Sequence, residues 1–237
     1  MRQPPNKIDG ILVVDKPMDW TSHDVVNCVK RRFNLNKVGH CGTLDPIATG
    51  LLVILMGKAT KLQDHLMGQD KTYLATMRLG TETDSEDRTG NIIATATFDT
   101  ITEQQIYDTA KTFLGIQEQV PPMVSAIKQN GQPLYKLARK GQTVERKPRE
   151  ITISSFEINI IELPDVIFTL KCSKGTYVRT ICADFGRKLG CGAMMAELRR
   201  TGSGDFTLQN AVDIEQIKSW ELPELQQNLL PIESIAL

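Results

Sequence analysis

The chain opens on Ile11-Leu12-Val13-Val14, an apolar run of strand length closed by the turn-forming Asp15-Lys16-Pro17. Val25, Val29 and Phe33 then recur every four residues, the period of an amphipathic helix. Thr21 or Ser22 is available as its N-cap, and Lys30-Arg31-Arg32 sit near its end. Leu51-Leu52-Val53-Ile54-Leu55 is apolar without interruption, the pattern of one buried strand, and a helix is expected from Ala59 to Met67. From Tyr73 to Leu79 the residues alternate as in a half-buried strand. A helix capped near Thr102, with Gln105 placed for a capping box, is expected to end at Gly115. Ile151 to Ile161 and Val166 to Cys172 read as strands around a Leu163-Pro164-Asp165 turn. Lys174-Gly175-Thr176 then enters a helix with Val178, Ile181, Cys182, Phe185 and Leu189 on one side, and a weaker helix runs from about Asp213 to Trp220. Strands and helices mixed without strict alternation, with no repeat or linker, predict a single α+β domain over residues 1–237.

Composition places the chain among ordinary globular proteins: 237 residues, 41% hydrophobic and 24% charged. Its start, Met1-Arg2-Gln3-Pro4-Pro5-Asn6-Lys7, lacks the apolar core of a signal peptide, and the Leu51–Met56 run is too short to span a bilayer. Five scattered cysteines with no Cys-x-x-Cys pair argue against a disulfide framework or a zinc site, and for reduced thiols in a cytoplasm. Lys/Arg and Asp/Glu balance at 28 each, which alone argues against a nucleic-acid partner. Their distribution changes that picture. Val120–Glu150 and Lys171–Arg200 each hold seven basic residues against two acidic ones, so the remainder of the chain is acidic. Such segregation suits a protein that grips phosphates with one face, although charge runs also occur as plain solvated surface.

The densest chemistry lies in Gly39-His40-Cys41-Gly42-Thr43-Leu44-Asp45-Pro46-Ile47-Ala48-Thr49-Gly50-Leu51-Leu52. It sets one acid, Asp45, between a glycine-rich turn and an apolar strand, where a carboxylate is costly unless partnered or used. In isolation Asp45-Pro46 reads as the opening of a turn. The whole run, however, resembles the catalytic motif of the TruB-type pseudouridine synthases, which isomerise a uridine in the T-loop of tRNA, conventionally position 55. Lys16-Pro17, Asp70-Lys71-Thr72-Tyr73 and Gly175-Thr176-Tyr177-Val178-Arg179 resemble the family's other signatures in the same order, so the likeness covers about Asp9 to Pro231.

The resemblance implies one large mixed β-sheet flanked by helices, with an RNA-gripping thumb inserted at about 120–150. Many relatives carry a C-terminal PUA domain, and this chain, which departs from them at its end, is expected to lack it. It implies a monomer acting on tRNA, with no guide RNA and no membrane. The reaction breaks the bond from ribose to N1 and rejoins the ribose to C5, without redox change or hydrolysis, so neither a cofactor nor a metal is expected. It needs a reversible nucleophile, for which a carboxylate serves. The likeness gives that role to Asp45, leaving addition at C6 and attack at C1′ both open. Arg179 would pair with Asp45 and keep it ionised against burial. Tyr73 would stack on the target base and help move the C5 proton, and Tyr177, Leu198 and His40 would contact or brace the flipped-out uridine. Lys16 would support the loop, and Lys71 could touch a phosphate.

Without the resemblance, Tyr73 and Leu198 read as core and Arg179 as a phosphate contact or a surface residue. In the thumb, Lys128, Lys136, Arg139, Lys140, Arg146, Lys147 and Arg149 would contact phosphates, in a loop expected to order on RNA binding. The acidic stretch Thr81–Gly90 fails the EF-hand spacing and reads as a structural turn. A Cys41–His40 thiol nucleophile finds no supporting signature. A competing reading is a non-catalytic tRNA-binding and folding factor, against which the joint presence of Asp45 and Arg179 speaks.

Overall fold

The computed structural model of this chain describes residues 4–123, 125, 128–129, 131–134, 137, 142 and 144–235. They divide into two units, Met1–Tyr73 with Arg199–Leu237, and Leu74–Leu198. The first unit begins with β1 (Gly10–Lys16), α1 (Ser22–Arg32), β2 (Val38–Cys41), β3 (Thr49–Met56) and α2 (Gln63–Gly68). β4 (Lys71–Leu79) leads into the second, which holds β5 (Thr81–Thr83), β6 (Ile92–Thr95), α3 (Glu103–Lys111) and β7 (Gly115–Gln119). There follow the short pair β8 (Lys128–Gln129) and β9 (Gln132–Pro133), then β10 (Arg149–Glu162), β11 (Asp165–Cys172) and α4 (Val178–Leu189). β12 (Ala193–Ser203) leads back to β13 (Phe206–Thr207), α5 (Ile214–Ser219) and α6 (Leu222–Gln227). The class is α+β, built on one large, mostly antiparallel sheet with helices.

In the first unit β1 lies antiparallel to β3, with Gly10 opposite Met56 and Lys16 opposite Gly50, and β2 runs antiparallel to β3. The unbroken apolar run of β3 has a simple cause, because both its faces are covered. Leu52, Ile54 and Met56 join Leu12 and Val14 in a core closed by Val25, Val26 and Val29 of α1, Ile214 and Ile217 of α5, and Leu225 of α6. Leu51, Val53 and Leu55 join Ile11 and Val13 in a second core with Ala59, Leu66 and Phe206. Helix α1 is fixed at its start by a capping box, in which the Asp24 amide donates to Thr21 Oγ1 at 3.1 Å and the Thr21 amide donates to Asp24 Oδ2 at 2.9 Å.

The end of β12 runs parallel to the start of β3, with Arg199 opposite Thr49 and Arg200 opposite Gly50. Only glycine fits at position 50: its φ is +98°, and a Cβ there would meet the Arg200 carbonyl oxygen at 2.3 Å.

In the second unit the strand order is β4, β11, β10, β7. One core there is aromatic: Phe113, Phe156, Phe168 and Phe185 pack with ring centroids 4.8 to 5.9 Å apart. Helix α3 carries the expected box, Thr102 with Gln105.

Two expectations are corrected, and one strand is added. The stretch from Ala59 to Met67 is not one α-helix but a 3-10 segment, Gly57–Leu62, followed by α2. Helix α3 ends at Lys111, and Gly115 opens β7 instead of closing a helix. β12 was not expected: Ala193 to Ala196 are all buried, so period-2 alternation is absent where the strand begins. Among the described residues, no helix is long and apolar enough to cross a membrane.

Candidate active site

The Asp45 loop is held from several sides within the first unit. Ser22, the first residue of α1, accepts from the Leu44 amide at 2.9 Å through its buried hydroxyl. The Asp45 carbonyl accepts from the Ala48 amide at 3.0 Å, so Asp45-Pro46 does open a turn. The Pro46 carbonyl accepts from the Asp19 amide at 2.9 Å and from Lys16 Nζ at 3.2 Å. Lys16 is fully buried and also donates to the carbonyls of Trp20 at 2.6 Å and Pro17 at 2.8 Å. Burial lowers its pKa to about 8, an effect partly opposed by Asp19 and Asp45 and reinforced by Arg200. Lys16 thus braces the loop, as the resemblance implies. Lys16→Met is expected to cost about 3 kcal/mol, because buried carbonyls lose their donor. A urea midpoint lowered without a change in slope is the check.

The other candidates of this unit lie on neighbouring strands. His40 sits on β2 opposite Ile54. Its pKa is lowered by burial first, then by Arg200 and His23, so its ring is neutral at pH 7. Burial pushes the Cys41 thiol up to about 11, which leaves it unreactive at neutral pH and counts against a Cys–His nucleophile. Tyr73 on β4 is 8% exposed. Lys71 departs from the expected phosphate contact: it is buried, and its Nζ donates to the carbonyls of Leu66, Met67 and Gln69 at the end of α2.

In the second unit, Tyr177 is the N-cap of α4, and Gln119 of β7 bonds both its amide, at 2.8 Å, and its carbonyl, at 3.0 Å. Arg179, the second residue of α4, is 3% exposed; its guanidinium carbon lies 5.7 Å from the Tyr177 ring centroid, and Nη1 lies 3.4 Å from Asp87 Oδ2. Asp87 was not singled out from the sequence. It lies in the acidic turn Thr81–Gly90, and its Oδ1 accepts from Ser85 Oγ at 2.8 Å, the Thr89 amide at 2.9 Å and Thr89 Oγ1 at 2.5 Å. The acids of this turn therefore serve structure and Arg179. Next to it, Glu86 stands at φ +64° and accepts from Thr180 Oγ1 at 2.5 Å; burial raises its pKa. Leu198 lies on β12, 9% exposed.

Of the thumb candidates, Arg146 donates to the Pro121 carbonyl at 3.1 Å, while Lys147 and Arg149 are exposed. Lys136, Arg139 and Lys140 lie outside the described residues, as does the side chain of Lys128. The cysteines at 28, 41, 172, 182 and 191 are all free thiols.

Comparison with known proteins gives a consistent picture. The model of the TruB family pseudouridylate synthase N-terminal domain matches residues 30–178, and that of the tRNA pseudouridylate synthase B C-terminal domain matches residues 179–236. The tRNA pseudouridine synthase B of Opitutus terrae is 49% identical over 236 residues, covering 100% of this chain and 98% of that protein. Its counterpart in Syntrophotalea carbinolica is 48% identical over 225 residues, 95% of this chain and 74% of that protein. Among solved structures, a chain of a Cbf5-Nop10-Gar1 complex superimposes with a TM-score of 0.73 at 31% identity, over 94% of this chain and 60% of that one.

Proposed function

Because the chain belongs to the TruB family of pseudouridylate synthases, we propose that it isomerises the T-loop uridine of tRNA, conventionally position 55, with Asp45 as nucleophile. The observation that carries the reading is the Asp45 loop itself. Its backbone is tied down by Ser22 and Lys16, and by the Ala48 amide, around the one acid in the motif. A fixed loop holds a reacting group in place and lowers the entropic part of the barrier.

The carboxylate adds to the nucleotide, the ribose–N1 bond breaks, the base turns, and the ribose joins C5. Expulsion of the carboxylate, loss of the C5 proton to water and uptake of a proton at N1 complete the isomerisation with no net change in composition. Arg179 supplies the cation that keeps the acid ionised, and Tyr73 supplies a face for the base. Extruding the uridine from the T-loop costs a few kcal/mol, which backbone contacts by basic residues of the thumb offset. No guide RNA enters the reaction.

The test is tritium release. A tRNA transcript labelled at C5 of uridine should lose label to water in step with pseudouridine formation, in the presence of a chelator. No release above the protein-free control, with tRNA bound, would replace the enzyme by a binding factor.

A further inference from the structure

Among the described residues Arg200 is the most deeply buried arginine of the first unit, at 1% exposure, and no sequence pattern marks it. Its guanidinium spans the Asp45 loop. Nε donates to the Leu51 carbonyl at 2.7 Å, just after the loop, and Nη2 donates to the Gly42 carbonyl at 3.0 Å, at its beginning. The approach at Gly42 is tight, since a Cβ there would lie 3.2 Å from Arg200 Nη1. The Arg200 backbone is fixed opposite Gly50, at the other end of the same loop. Among the described residues no carboxylate lies within 4.0 Å of this guanidinium.

A buried charge held only by carbonyl dipoles is expensive, and a small domain has cheaper ways to join two carbonyls. The cost makes sense if an anion must be kept nearby. Lys16 lies within electrostatic range of both the Asp45 carboxylate and the Arg200 guanidinium; its Nζ bonds the Pro46 carbonyl next to Asp45, and Arg200 bonds the Gly42 carbonyl three residues before it.

We infer that Arg200 is a positioning residue for Asp45: its fork sets the separation of the two ends of the loop, and its charge favours the ionised carboxylate. The inference rests on Asp45 being the nucleophile.

Two substitutions separate the fork from the charge. Arg200→Lys keeps the charge but cannot reach both carbonyls. It should lower the single-turnover rate about tenfold or more while the acid limb of the pH–rate profile and the KM for tRNA stay in place. Arg200→Gln keeps a donor and removes the charge, and should move the acid limb up by about one pH unit. An Arg200→Lys protein as fast as wild type, or a folded Arg200→Gln protein with an unmoved acid limb, would overturn the inference. Should Arg200→Gln not fold, the rate and KM of Arg200→Lys decide alone. Asp45→Asn in the same assay separates the failures: an active Asp45→Asn protein sinks the nucleophile reading and this inference together, whereas an inactive one beside unaffected Arg200 variants sinks this inference only.

Discussion

Asp45→Asn should reduce pseudouridine formation by roughly 10⁴-fold or more, as removal of a nucleophile does elsewhere, while tRNA affinity stays within about twofold because phosphate contacts carry most of it. The substitution isolates one property. Asparagine has the same shape, and the Asp45 carbonyl that accepts from the Ala48 amide is untouched. Ser22 and Lys16 still hold the neighbouring backbone. What disappears is the negative charge and the nucleophilic oxygen. Single-turnover kinetics beside filter binding, on protein of unchanged melting temperature, read the two quantities separately. A variant retaining more than a small fraction of the rate would exclude the carboxylate from the covalent step.

The second large effect belongs to Asp87, which lies against Arg179. Its carboxylate lies against a guanidinium that is 3% exposed and also gathers Ser85 and Thr89. Asp87→Ala removes an anion beside a buried cation, a change that typically costs about 3–5 kcal/mol. It also frees the turn that bridges to Met195 through backbone bonds from Arg88 and to Glu86. Arg179 should then lose its orientation, and a misplacement on the order of 1 Å lowers rates about 100-fold. Asp87→Asn provides the milder comparison, since its side-chain oxygen can still accept from Thr89. The expected order of activity is wild type, then Asp87→Asn, then Asp87→Ala, with thermal stability falling in the same order. Full activity in Asp87→Asn would show that the charge on Asp87 does not matter to Arg179.

What the sequence made legible follows the strength of local signals. The capping box at Thr102 depends on residues three apart, so it could be read directly, whereas at the start of α1 the sequence offered both Thr21 and Ser22 and the box falls on Thr21 with Asp24. The apolar run of β3 announced a buried strand, though not that two separate cores flank it. β12 stayed hidden because its buried stretch leads into Arg199-Arg200, which read as surface charge until the strand carried Arg200 inside.

The same limit applied to the site. Asp45, Tyr73 and Arg179 lie in compact motifs, whereas Asp87 and Arg200 act through partners about 90 and 150 residues away in the chain. Lys71 was misjudged for a related reason, because a lysine next to a motif tyrosine gives no local hint that its amine is turned onto three carbonyls.

The decisive measurement maps pseudouridine position by position in a full-length tRNA transcript after incubation with an equimolar amount of the protein, without metal or guide RNA. The expected outcome is complete conversion at one T-loop uridine with wild type and none with Asp45→Asn. Conversion elsewhere in the tRNA, or equal conversion by both proteins, would contradict it.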